Sequence, residues 1–186
     1  GFGMLIRLPR KTIGSIKAAL LNWTQIFGFP AEIYCDQESA MMSDEFRAWL
    51  ELHDCKLHPM PASKGSTHSV MGFIDSHASV IRKHFRRLDE AASQTPMPMT
   101  VEEVLALTQW AHNTDFSQDG TCAVQRAMGH IPRDALNADR LTTSMFEDQS
   151  FLERARMRAL STMIYQEEKA KEKLKQIARG QARTGS

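Results

Sequence analysis

Gly28 and Pro30 stop any helix that runs into them, because glycine accepts the left-handed conformation of a helix end and proline forbids the helix to resume. The run that follows, Ile33-Tyr34-Cys35, is β-prone and suits a strand buried in a sheet, and it ends on Asp36. The spacing therefore delivers a carboxylate to the C-terminal end of a strand, where open α/β sheets place their ligands. An isolated aspartate in that place more commonly caps the next turn, so a chemical role for Asp36 depends on what the fold gathers around it.

The flanking segments extend this reading. Residues 4–8 form an expected strand closed by Pro9, and Ile13, Ile16, Leu20, Trp23 and Phe27 then follow the three-and-four spacing of an amphipathic helix. After a loop at 37–42, Ser43 is placed to cap a helix whose first turn holds Asp44 and Glu45, with Phe46, Trp49 and Leu50 as its buried stripe. Residues 55–58 are a second strand, stopped by Pro59. Strand, helix and strand make a βαβ unit and predict parallel pairing.

A small, polar loop at 61–67 precedes a long expected helix reaching about residue 92, with Phe73, Ile74, Ile81, Phe85 and Leu88 as its apolar face. Asp75, Ser79, Arg82 and Arg86 share the opposite side at helical spacing, flanked by Lys83 and Arg87. A salt-bridged surface helix is the commoner meaning of such a stripe. Thr100 and Glu103 then spell a capping box for a helix to about residue 113. Residues 116–139 read as loop-rich, with a short helix near 123–128 stopped by Gly129. Residues 148–178 read as a long helix exposed on one side.

At 186 residues the chain suits one α/β domain with an appendage. Its ordinary composition excludes a disordered or membrane-spanning class, and no apolar leader opens it. The three cysteines are scattered and read as reduced thiols. His53, Cys55 and His58 alternate along a strand and lack a fourth ligand, which argues against zinc. The net charge of +1 hides an asymmetry: from residue 151 onward nine Lys/Arg face four Asp/Glu. Such a basic end suits a polyanion, although a solvated helix face is the commoner reading. Because the opening residues run straight into a strand, part of the domain is expected to lie upstream of Gly1.

Three blocks of residues carry a family resemblance. Trp23, Gly28-Phe29-Pro30, Ile33 and Asp36 resemble the W…GxPxxixxD block of retroelement integrase catalytic cores. Met71-Gly72-Phe73-Ile74-Asp75-Ser76-His77 is similar to the block in which those integrases write G-x-[VI]-E-R-x-[HN]. His112-Asn113, followed by Gly120 through Arg133, resembles the N…GxSPxxxxxGrxPr block of retrotransposon polyproteins. The blocks stand in the family order over residues 1–140, and Asp36-Gln37-Glu38 looks closest to Copia-like integrases.

The resemblance implies an α/β, ribonuclease-H-like integrase core, partial because its first strands are missing, with an α-helical C-terminal extension. Its divisions would be a partial core at 1–92, a helix and loop extension at 93–140 and a basic helical tail at 141–186. It also implies three carboxylates holding two Mg²⁺ or Mn²⁺ ions for DNA 3′-end processing and strand transfer. Asp36 matches the family's second carboxylate and Asp75 stands where the family has its glutamate. Arg82 falls where integrases set a basic residue on DNA ends. Lys64, Ser79, Lys83 and Arg86 are the further nucleic-acid contacts expected, residues 63–67 the flexible active-site loop. DNA and further copies of the chain are the expected partners, with no membrane, and the nucleus is the expected location.

Four departures stand beside the likeness. No Asp or Glu precedes Glu32, so the family's first carboxylate has no counterpart in the sequence; Asp75 is one methylene shorter than glutamate; and Ser76 replaces the usual arginine. The interval from Asp36 to Asp75 is also a few residues longer than usual. An alternative expectation is therefore an integrase-derived module without catalysis, acting in nucleic-acid binding or oligomerisation.

Overall fold

A computed structural model of the chain describes residues 1–37, 40–60, 70–117, 119–130 and 149–184. It is helix-rich with a small parallel sheet, compatible with an α/β class. Two compact units divide the chain: residues 6–69, and residues 1–5 together with 70–186.

In the unit formed by residues 6–69, helix α1 (Ile13–Phe27) is capped by Thr12, whose side chain accepts from the Ser15 N–H, and it ends at Gly28 with φ of 75°. Strand β1 (Glu32–Asp36) pairs in parallel with β2 (Lys56–Met60), in the register Glu32 to Lys56 and Asp36 to Met60. Between them lies α2 (Asp44–Glu51), where the Ser43 side chain accepts from the Phe46 N–H and Asp44 and Glu45 occupy the positive first turn. Phe46, Leu50 and Cys55 are buried beneath Ile13, Ile16, Leu20, Phe29, Ile33, Trp49 and Leu57.

Two details depart from expectation. Strand β1 is covered on one face only: Ile33 and Cys35 turn inward while Glu32, Tyr34 and Asp36 are exposed, the alternation of a half-buried strand. Strand β2 runs through Pro59 rather than stopping at it. Proline is tolerated where its missing N–H falls at a sheet edge, and β2 has no described neighbour besides β1.

The other unit is built on α3 (Val70–Ser93), α4 (Val101–Thr114) and α6 (Gln149–Thr184), with the short α5 (Ala123–Met128) beside α4. Leu88, Ala92, Val104, Met157 and Ile164 form its main core, and Val80, Ala111 and Tyr165 a second cluster. Among the described side chains of α3, from residue 74 on, the buried positions are Val80, His84, Leu88 and Ala92, four apart; Ile81 and Phe85 of the expected face are half-buried, Ile74 is exposed, and Phe73 lies outside the described side chains.

Residues 4–8 are not in a strand. The backbone groups at the start of the chain are held by amide side chains of α4. Asn113 accepts from the Gly3 N–H at 2.8 Å and donates to the Gly3 carbonyl at 2.7 Å, and Gln109 accepts from the Leu5 N–H at 2.7 Å. A Cβ on Gly3 would lie 2.9 Å from the His112 ring, so the close approach requires glycine.

Candidate functional site

Asp36 closes β1 as an exposed carboxylate, the placement expected from the strand and its stop. Asp75 is exposed on α3. The two therefore belong to different compact units. Among the described residues, no three His, Cys, Asp or Glu side chains gather where they could hold a metal ion. The donor type, carboxylate oxygen, suits Mg²⁺ or Mn²⁺; the number gathered falls short of a full set. His53 stacks on Phe29 at 4.0 Å and Cys55 is in the core, so this pair of the His53, Cys55 and His58 group is engaged in packing.

The basic stripe of α3 divides in two. Lys83 donates to Glu172 of α6 at 3.4 Å, and Arg87 meets Glu167 at 2.8 Å and Glu168 at 2.9 Å. Glu168 is 6% exposed. Burial alone would raise its pKa, but Lys171 and Arg87 hold it lowered, so Arg87 serves to neutralise a buried carboxylate. Arg82, whose Nε donates to the Ala78 carbonyl, and Arg86 are exposed and make no ion pair with any described residue. Ser79, half-buried, lies beside them. Lys64 and residues 63–67 lie outside the described residues.

Behind that face runs a polar layer which the sequence reading missed. His84 Nε2 lies 3.1 Å from Ser161 Oγ, and that hydroxyl donates to the Leu107 carbonyl at 3.0 Å. A hydroxyl with its one proton so engaged can only accept from the ring, so His84 carries its proton on Nε2, and its buried Nδ1 has no partner among the described residues. A second proton there would be buried unbonded, and burial lowers the His84 pKa to about 4.

His112 is arranged alike. Its Nε2 donates to the Gly1 carbonyl at 3.1 Å, which leaves Nδ1 to accept from the Tyr165 hydroxyl at 2.8 Å. Burial brings this ring also to about 4 and pushes the Tyr165 phenol up. His112-Asn113 is thus the anchor of residues 1–5.

The helical unit also holds a cleft of about 620 Å³ lined by Ser76, His77 and Val80 of α3, by Phe116, Ser117, Asp119 and Arg126 of the α4–α5 region, and by the side of α6 that carries Tyr165, Lys169, Glu172, Lys173 and Gln176. Asp119 accepts from Ser117, from the Thr121 backbone and hydroxyl, and from Arg126. These bonds, the Ser117 hydroxyl first, hold its pKa at about 2. Asp115 pairs with Lys169. Ser76, His77 and Arg126 fall in the resemblance blocks, yet the sequence did not mark them as one cleft, because its walls come from segments up to a hundred residues apart.

Comparison with known proteins gives a likeness in fold. The chain is similar to one chain in the structure of a simian T-cell lymphotropic virus intasome in complex with PP2A regulatory subunit B56 gamma. The TM-score is 0.52 with 19% identity, over 72% of this chain and 46% of that one. The chain thus spans about half the length of that neighbour. No protein-family model matches it, and no curated protein does. The likeness is one of fold alone.

Proposed function

We propose that this chain is part of a retroelement integrase, of the Copia-like kind with a ribonuclease-H-like core, and that the protein containing it processes and joins DNA 3′ ends. What supports the reading is the coincidence of the fold likeness to a chain of an intasome complex with three integrase-like sequence blocks in family order. Arg82 and Arg86, exposed one turn apart, are the proposed phosphate contacts, with Ser79 beside them and Lys64 on the preceding segment. Lys83 would have to leave Glu172 to join them. Asp36 and Asp75 are the proposed ligands for Mg²⁺ or Mn²⁺, which when bound would activate the attacking oxygen and stabilise the leaving one. DNA and further copies of the chain are the proposed partners, and the nucleus the proposed place of action.

A second reading, an integrase-derived module that binds DNA without catalysis, is favoured by one observation: no three carboxylates gather among the described residues. One pair of assays separates the two. Duplex DNA binding by the full chain should weaken with salt, and Arg82→Ala with Arg86→Ala should lower the slope of log affinity against log salt by about two. Joining of a labelled oligonucleotide in Mg²⁺ or Mn²⁺, abolished by Asp36→Asn and by Asp75→Asn, supports the integrase reading. Binding without joining supports the module. Affinity that ignores salt and both arginines removes DNA from either account.

A further inference from the structure

We propose that the cleft of the helical unit binds a single unpaired nucleotide, an aromatic base carrying one phosphate. The inference rests on the reading of the chain as a DNA-handling protein and names a substrate feature which that reading leaves open.

The cleft's size lies in the range of small-molecule sites. Its apolar lining is Phe116, Val80 and Tyr165: Phe116 is 56% exposed, a large ring open to solvent, while Val80 and Tyr165 are buried. Such a ring is a stacking surface for any base. Three cations line the same cleft, and their engagement differs. Lys169 is held by Asp115. Arg126 is pinned through Nη1 alone, to Thr121 Oγ1 at 2.6 Å, Ser117 Oγ at 2.9 Å and Asp119 Oδ2 at 3.2 Å. Its Nε and Nη2 donors are left outside that knot.

Lys173 is one turn beyond Lys169 on the same side of α6, and it makes no ion pair with any described residue. The two acids of the lining are already engaged, Asp119 by its four hydrogen bonds and Glu172 by Lys83. The charge left to meet a ligand is therefore positive and sits beside an aromatic face. That combination recognises a nucleotide through stacking and a charge-assisted phosphate contact. Hydrogen-bonded Ser76 and Gln176, 2.7 Å apart at the rim, offer polar groups to a base edge.

The test is titration calorimetry of the full chain with dAMP, deoxyadenosine and inorganic phosphate, and with blunt duplex against duplex ending in unpaired nucleotides. The proposal expects dAMP to bind more tightly than either of its halves. Lys173→Gln should weaken dAMP about tenfold and leave deoxyadenosine unchanged. Phe116→Ala should weaken both about tenfold. Both side chains are solvent-facing, and Lys175→Gln, outside the cleft, serves as control.

Preference for the frayed duplex, lost with Lys173→Gln, identifies a strand end as the source. Equal duplex affinities with dAMP binding intact identify the free nucleotide. No dAMP binding at millimolar concentration, or equal effects of Lys173→Gln and Lys175→Gln, overturns the proposal. Duplex binding that still depends on Arg82 and Arg86 in that case leaves the functional reading standing, whereas loss of both removes the reading as well.

Discussion

His84 and His112 show how single residues set the stability of the helical unit. Both rings are neutral in the fold, with pKa brought by burial to about 4, whereas an unfolded chain protonates them near 6.5. Between those values the unfolded state binds the extra protons. Stability is therefore full above pH 6.5, falls as pH drops toward 4, and levels off below, by at most about 3 kcal/mol per ring. Urea denaturation at stepped pH, followed by circular dichroism, should show this slope. His84→Asn should roughly halve it while leaving the acid-titrating carboxylates in place; an unchanged slope would exclude His84 as its source. This polar layer was invisible in the sequence for a definite reason. A histidine interrupts the apolar period of α3, and its partner Ser161 is 77 positions away. The expected buried face therefore included Ile74 and passed over Val80 and His84, while Leu88 lies in both.

At the scale of elements, features whose partners lie within three or four residues were legible. Ser43 before Asp44-Glu45 and Thr100 before Glu103 marked helix starts from local chemistry alone, and both caps form. The second is a complete capping box, with Thr100 accepting from the Glu103 N–H at 3.2 Å and Glu103 accepting from the Thr100 N–H at 2.8 Å. Thr100→Ala should cost about 1 kcal/mol, read as a lowered urea midpoint at constant slope, and Thr100→Ser should recover most of it. No loss would mean that the adjoining core positions α4 without its cap. The opening segment failed for the converse reason. Residues 4–8 have strand composition, yet whether such a run pairs in a sheet or lies on a helix is decided by partners. Here Gln109 holds Leu5 and Asn113 holds the preceding Gly3, both over a hundred residues downstream.

For the whole molecule, the division into two compact units sets an order of unfolding. The described residues of 6–69 bury few large side chains, chiefly Phe46 and Leu50, and α1 contributes none that is fully buried, with Leu21 and Ile26 exposed. The helical unit buries Leu88, Val104, Met157, Ile164 and Tyr165 and adds the histidine layer. Hydrophobic stabilisation scales with area removed from water, so the smaller unit should open first. The tryptophans report on the two separately: Trp23 and Trp49 lie in residues 6–69, Trp110 on α4. Fluorescence of a Trp110→Phe variant should shift at lower urea than the far-ultraviolet dichroism, which the long helices α3, α4 and α6 dominate. Coincident transitions would make the chain one cooperative unit and sink the idea. The same order separates the functions proposed above. DNA binding through Arg82 and Arg86 belongs to the helical unit and should persist after the first transition. Any joining reaction that needs Asp36 should be lost with it, so activity that outlasts the folded state of residues 6–69 would remove Asp36 from the chemistry.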